Sequence, residues 1–322
     1  MNPVTRLALV IGGTALVASA AAQTTYPEKA IRLLIGYPPG SQTDVIARVF
    51  GQKLSEFLGK PVVTDNAAGA AGTIAADRTA KAVPDGYTLG YLAQGALVIN
   101  PSLSKLGYEA VKDFSPVSQI TVSSNVLVVH NAVAAKSVKE LVALAKAQPG
   151  VLTYASGGSG SAPHLAGEFF KSMAGVDVRH IPYKGVVAAI PDLIGERVSM
   201  MFGATAVVMP LAREGKLRAL AVTALRRSPA LADLPTVAES GYPGFEVSSW
   251  NGLFAPARTP APIVQRLHGE TVKILAHADL RARLGDFGLE SIGNSPDEFA
   301  AVIKFEVPKW AKVIKEAGIN SE

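Results

Sequence analysis

The 322-residue sequence predicts an α/β protein of two lobes. Strand-like apolar runs alternate with segments of helical periodicity, the pattern of parallel βα units. Two Gly-containing turns, Pro38-Pro39-Gly40-Ser41-Gln42-Thr43-Asp44 and Ser156-Gly157-Gly158-Ser159-Gly160-Ser161, lie far apart, and each joins such a strand to such a helix. A turn of this kind presents unpaired backbone N–H groups and the positive end of a helix dipole, which makes it a seat for an anion. Once a leader is removed, about 300 residues suit two domains better than one. Ligands of open α/β sheets lie beyond the carboxyl ends of the strands, so two facing sets of such loops define a cleft.

The leader comes first. Arg6 precedes Leu7-Ala8-Leu9-Val10-Ile11 and a run of small and apolar residues that ends in Ala20-Ala21-Ala22. This reads as a cleaved secretory signal over 1–22, with the mature chain starting near Gln23. As an anchor the run falls short of about 20 strongly apolar residues, being diluted by Gly, Thr, Ser and Ala. Loss of Arg6 alone brings 31 basic residues to 30 against 26 acidic, a net charge of +4.

The elements then follow in order. The apolar run 31–35 is a buried strand, and Val45, Ile46, Val49, Phe50, Leu54 and Leu58 recur at helical spacing after it, with Ser41 and Asp44 as a capping box. Residues 61–64 form a second strand, followed by the small-residue turn 67–72 and a helix over 73–82. Pro84-Asp85-Gly86 marks a turn before a third strand, 88–92, which ends at Ala93-Gln94-Gly95. A second block holds a strand at 126–129, a helix at 138–146, a strand at 151–155, a helix at 165–173 and strand-like runs at 178–185, 200–202 and 217–222. Amphipathic helices at 263–276 and 296–317 close the chain.

Composition excludes several functions. With no Cys, the chain has no disulfide, thiolate metal site, catalytic Cys or lipidated Cys. An apolar fraction of 48% with 18% charged residues describes a globular protein with a substantial core, soluble once its leader is gone. The pI of 9.3 comes from dispersed Lys and Arg without a basic stripe or interleaved aromatics, so no nucleic-acid partner is expected. Five His show neither His-x-His nor His-Glu-x-x-His spacing, and no metal or cofactor is expected.

Several motifs, in order, resemble one family. They are Tyr37-Pro38-Pro39-Gly40-x-x-Thr43-Asp44, Pro84-Asp85-Gly86-Tyr87-Thr88-Leu89, Asp113-Phe114-Ser115-Pro116-Val117, Tyr154-Ala155-Ser156-x-Gly158-x-Gly160-Ser161-x-x-His164, Pro182-Tyr183-Lys184-Gly185 and Leu234-Pro235-Thr236-Val237. In these the chain resembles the Bug receptors, the solute-binding proteins of tripartite tricarboxylate transporters. The resemblance implies a two-lobed periplasmic binding protein of type II-like topology, with the chain crossing between lobes at 120–125 and 245–252. Lobe one would hold 23–122 and 249–322, and lobe two 123–248. It further implies a monomer, a membrane permease as partner, and as ligand a dicarboxylate, tricarboxylate, acidic amino acid or aromatic acid. Many members carry a run of glycines where this chain has Ser41 and Gln42, so ligand identity does not carry over.

The candidate ligand residues each have a bland alternative. Ser41 and Thr43 can bond a carboxylate or cap the following helix. Asp44 suits capping, or a water-mediated or amine contact, because a carboxylate repels it. Ala70, Ala71 and Gly72 offer amides or simply a packing turn, and Gln94 sits at the end of the third strand. Ser156, Gly158, Ser159, Gly160 and Ser161 offer a hydroxyl-rich cradle from the other lobe. His164 donates to the ligand or braces its loop. Lys184 supplies charge or lies on the surface, while Tyr37 and Phe202 wall the cleft or belong to the core, and Trp250 packs at the hinge. A nucleophile elbow at Ser159 lacks the final glycine, which is Ser161, and has no recognisable base. A ligand sensor and, less favoured, a secreted hydrolase remain as alternatives to the transport receptor.

Overall fold

The computed structural model describes residues 26–158, 161–183, 185–227 and 231–319. The leader 1–22 lies outside these residues, as do Ser159, Gly160 and Lys184.

Strands β1 (Ile31–Ile35), β2 (Val62–Asn66) and β3 (Thr88–Ala93) are parallel, with β1 in the middle. Helix α1 (Gln42–Leu58) connects the first pair and α2 (Thr73–Ala80) the second. Next comes β4 (Phe114–His130), 17 residues long, where the sequence suggested a short strand preceded by a crossing segment. Its interior is apolar on both sides of Ser123-Ser124, and it continues through the crossing without a break.

After β4 come α3 (Val138–Ala147), β5 (Thr153–Ser156), α4 (Ala162–Ala174), β6 (Arg179–Pro182), α5 (Val186–Ile194), β7 (Met200–Ala204), α6 (Thr205–Arg213) and β8 (Leu217–Val222). The return is made by β9 (Ser248–Pro256), followed by α7 (Ala261–Leu275), α8 (Ala278–Asp286), β10 (Glu290–Ser291) and α9 (Pro296–Glu316). Helices α5, α6 and α8 were not expected from the sequence, and α5 and α6 contain Pro191 and Pro210.

The strand order is β2-β1-β3-β9-β4-β7-β5-β6, with β8 and β10 also paired to β4. Two halves repeat one plan. In the first, β2-β1-β3 is parallel, β9 enters antiparallel, and β4 follows. In the second, β6-β5-β7 is parallel, β4 enters antiparallel, and β8 follows. Each half thus borrows a strand that comes from the other, and β4 changes partners between Ser124, opposite Ser248, and Asn125, opposite Ala204.

The two crossings are tied at that point. The Asn125 amide donates to Thr223 Oγ1 at 2.9 Å, Thr223 Oγ1 donates to the Val247 carbonyl at 2.5 Å, and the Val247 amide donates to the Thr223 carbonyl at 3.0 Å. Thr223 is fully buried.

One apolar cluster fills the first half between its sheet and α1, α7 and α8, around Phe50, Leu54 and Leu267. A second lies under α5 and α6 around Leu193, Met201 and Val208. The largest runs across both halves through Phe170, Phe202, Phe245, Trp250, Phe254, Phe299 and Trp310. Helix α9 belongs to this cluster, and its Trp310 ring lies 6.2 Å from that of Phe169 on α4. Its start is held by a capping box between Ser295 and Glu298.

Candidate functional site

A cavity of about 330 Å³ opens where the carboxyl ends of the first-half strands meet the crossings. Tyr37, Gln42 and Thr43 line it from the loop and helix after β1, Ala71 from the turn after β2, and Gln94, Gly95 and Asn100 from the segment after β3. The crossing strands add Ser123, Ser249, Trp250 and Asn251, and Ala162, at the start of α4, faces them from the second half. Among the described residues that line it none is charged, and what they present is neutral dipoles.

The rim is built by local rules. Ser41 caps α1, its hydroxyl accepting from the Asp44 amide at 3.2 Å. The amides of Gln42 and Thr43 meet no acceptor among the described residues and sit at the positive end of a 17-residue helix. The expected capping box closes one residue early: Asp44 Oδ2 accepts from Gly40 N at 2.9 Å, a bond that the left-handed turn at Gly40 (φ 81°) permits.

Asp44 is 2% exposed, and its partners account for it. Arg48 Nε lies 2.9 and 3.0 Å from its two oxygens, and Asn66 Nδ2 donates to Oδ1 at 2.7 Å. Asn66 Nδ2 also reaches the Tyr37 carbonyl at 2.9 Å, while Arg48 bonds Thr64 and Asn66 on β2. Burial raises the Asp44 pKa, but hydrogen bonds from Arg48, Asn66 and Gly40 together bring it below the ordinary carboxylate value. Asp44 therefore braces the loop.

The turn after β2 is strained. Ala70 and Ala71 have φ of 45° and 52°, a region in which a side chain costs roughly 1–2 kcal/mol. Gly69 and Gly72 flank them at φ 129° and 91°. A Cβ on Gly36 would stand 2.8 Å from Gly72 Cα, so the first two loops approach closely through a bare backbone. Ala71 lines the cavity while Gly72 is buried behind it. After β3 the chain forms a π-helical turn, Gly95–Ile99, that brings Gly95 and Ile99 to the cavity.

Beyond the wall, Gln94 Nε2 donates to both oxygens of Glu306, each at 3.0 Å, and Trp250 Nε1 donates to Glu306 Oε2 at 2.8 Å. Glu306 is 4% exposed on α9. Burial raises its pKa, against the pull of those two hydrogen bonds and of Lys309.

The second-half cradle differs from expectation. Ser156 is fully buried, and its hydroxyl lies 2.6 Å from His180 Nε2 while accepting from Gly158 N at 3.1 Å. Ser161 donates to the Gly158 carbonyl at 2.7 Å, closing the loop on itself. His164 is buried, its ring stacked 4.0 Å from that of His180, which in turn stacks on Tyr154 at 4.9 Å. Burial lowers the pKa of both imidazoles, and burial with the neighbouring His164 takes His180 to about 4. These neutral rings form the floor of the loop.

Phe202 is fully buried in the core against Phe170 and Phe245, not in a cleft wall, because its side of β7 faces α4. The cavity therefore gathers Tyr37, Thr43, Ala71 and Gln94 from the expected residues, while Ser41 and Ala70 adjoin it. Asn100, Ser123, Ala162, Ser249 and Asn251 carried no signal in the sequence. Only the pairing of β4 with β9, which sets Ser123 opposite Ser249, brings the crossing residues together.

These halves, joined by paired crossings over a cleft, define a two-lobed binding protein. The family model of the tripartite tricarboxylate transporter family receptor matches residues 46–319, and the chain belongs to that family of solute-binding receptors. BugT of Bordetella pertussis is 36% identical over 319 residues, 98% of each chain. Among solved structures, R. palustris Rpa4515 with adipate is 36% identical, covers 92% of this chain and 99% of its own, and superposes with a TM-score of 0.69. A TctC solute-binding protein from Polaromonas without ligand is 27% identical, covers 90% and 99%, and superposes at 0.85.

Proposed function

We propose that the chain is a periplasmic receptor that takes a small organic carboxylate between two lobes, 23–122 with 249–322 and 123–248, and closes on it. It then delivers the ligand to the membrane permease of a tripartite tricarboxylate-type transporter. The observation that carries this reading is the cavity at the crossings, whose described lining is uncharged, with the Gln42 and Thr43 amides, unpaired among the described residues, on one side and Ala162 of the other half opposite. Such amides are matched to an anion. The partner change of β4 beside the tie at Thr223 supports a pivot there.

The superpositions support an open form. The adipate-bound relative is closer in sequence yet fits less well than the ligand-free one. On this reading a ligand selects a closed arrangement of the lobes. The relatives are solute-binding proteins, and in this chain Ser156, the serine close to His180, is fully buried, with its hydroxyl already held by Gly158. We therefore expect no esterase or amidase turnover.

A thermal-shift screen of dicarboxylates, adipate included, followed by titration calorimetry, tests the reading. A ligand at 100 times its Kd adds about 2.7 kcal/mol to apparent stability. Failure of every carboxylate to shift melting at millimolar concentration would remove the carboxylate receptor.

A further inference from the structure

The wall between Gln94 and Trp250 withholds its donors from the cavity. A carboxylate can only accept, so Glu306, bonded by Gln94 Nε2 through both oxygens, settles which way the Gln94 amide points. The Gln94 oxygen meets no donor among the described residues and is the atom left for the cavity that Gln94 lines. Trp250 Nε1 is spent on the same carboxylate. Lys309, one turn further along α9, gives its ammonium to the Glu246 carbonyl. Nearby, Asn251 directs Nδ2 to Thr121 Oγ1 at 3.3 Å, and its amide oxygen is buried without a partner.

From this arrangement we infer that Glu306 is a positioning residue that turns the Gln94 amide oxygen toward the cavity, and that the cleft prefers carboxylates carrying a second hydrogen-bond donor, a hydroxyl or an amine. The inference rests on the carboxylate-receptor reading and deepens it. A carboxylate group sits at the Gln42 and Thr43 amides, because against Gln94 it would set oxygen facing oxygen. A hydroxyl or ammonium on the same ligand satisfies the acceptors, whereas a plain methylene leaves them dry and unpaired.

The test compares paired probes by titration calorimetry: succinate with malate, glutarate with 2-hydroxyglutarate, and adipate with 2-aminoadipate. Wild type should favour the donor-bearing member of the pairs it binds by about tenfold or more, the weight of one satisfied hydrogen bond. Glu306→Gln keeps the shape but can itself donate, so the Gln94 amide is free to turn over and the preference should fall to about threefold or less. Gln94→Leu, which reads the same preference if Glu306→Gln does not fold, should weaken binding of the hydroxylated probes while leaving the plain ones nearly unchanged. Equal affinity within the pairs in wild type, or an undiminished preference in the folded variants, overturns the inference alone. Failure of all six probes and of a wider carboxylate panel overturns the receptor reading and the inference with it.

Discussion

Asp44 shows how a residue type that a carboxylate should repel comes to sit at the rim of the proposed site. Its carboxylate is consumed by Arg48, Asn66 and Gly40 N, so it organises the amides that face the cavity. A folded pKa below the ordinary value means that its contribution is present above about pH 4 and is lost as pH falls through the lowered folded value. Asp44→Asn should therefore cost on the order of 2 kcal/mol at pH 7 in urea unfolding, and the gap to wild type should shrink below about pH 4. A pH-independent gap would show that charge is not what the network uses. Ala71 makes the opposite case, since its left-handed φ of 52° opposes stability. Relief of that strain, offset by the greater freedom of an unfolded glycine, should make Ala71→Gly more stable by up to about 1 kcal/mol. Destabilisation would mean that the methyl group packs usefully against the cavity.

At the scale of elements, the device that matters is the pair of crossings. Thr223 Oγ1 joins β4 to the segment entering β9, accepting from Asn125 N and donating to the Val247 carbonyl. Thr223→Val keeps the shape and removes both bonds, leaving a buried amide and carbonyl short of a partner. We expect a loss of about 2–4 kcal/mol by chemical denaturation, at about 1–2 kcal/mol for each group. A neutral result would show that water replaces the hydroxyl. The approach of β1 to the turn after β2 is as tight. A Cβ on Gly36 would meet Gly72 Cα at 2.8 Å, so Gly36→Ala should cost about 1–3 kcal/mol in a melt and weaken carboxylate binding by displacing Ala71. Unchanged binding in that variant would separate the turn from the site.

For the whole molecule, the largest apolar cluster passes from one half to the other through Trp250, Phe245 and Trp310, and α9 lies against α4. The closure proposed above would therefore turn about this side of the molecule while the opposite loops approach. Small-angle scattering should show a smaller radius of gyration when a binding carboxylate is added, and Gly40→Val, which forces a side chain into a φ of 81°, should blunt both binding and compaction. A radius that stays constant at saturating ligand would remove lobe closure from the account.

The sequence alone carried the alternation of strand and helix, the family motifs and the rim of the first half. Those features are local: apolar periodicity around Phe50 and Leu54, Ser41 before a helix, and Gly40 in a turn follow from neighbours a few residues away. The length of β4 was hidden because 120–125 reads as polar and mixed, and only β9 alongside makes it a strand. Helices α5, α6 and α8 were hidden because each is only nine residues long, and α5 and α6 carry Pro191 and Pro210 inside them. The roles of Phe202, His164 and Ser156 were decided by which face packed inward, something a strand or a loop of Ser and Gly does not announce. Glu306 is the extreme case: 212 residues separate it from Gln94, and nothing along the chain sets the two side by side. Only the return of α9 across the crossings does that, since burial leaves the carboxylate no other donors than those of the cavity wall.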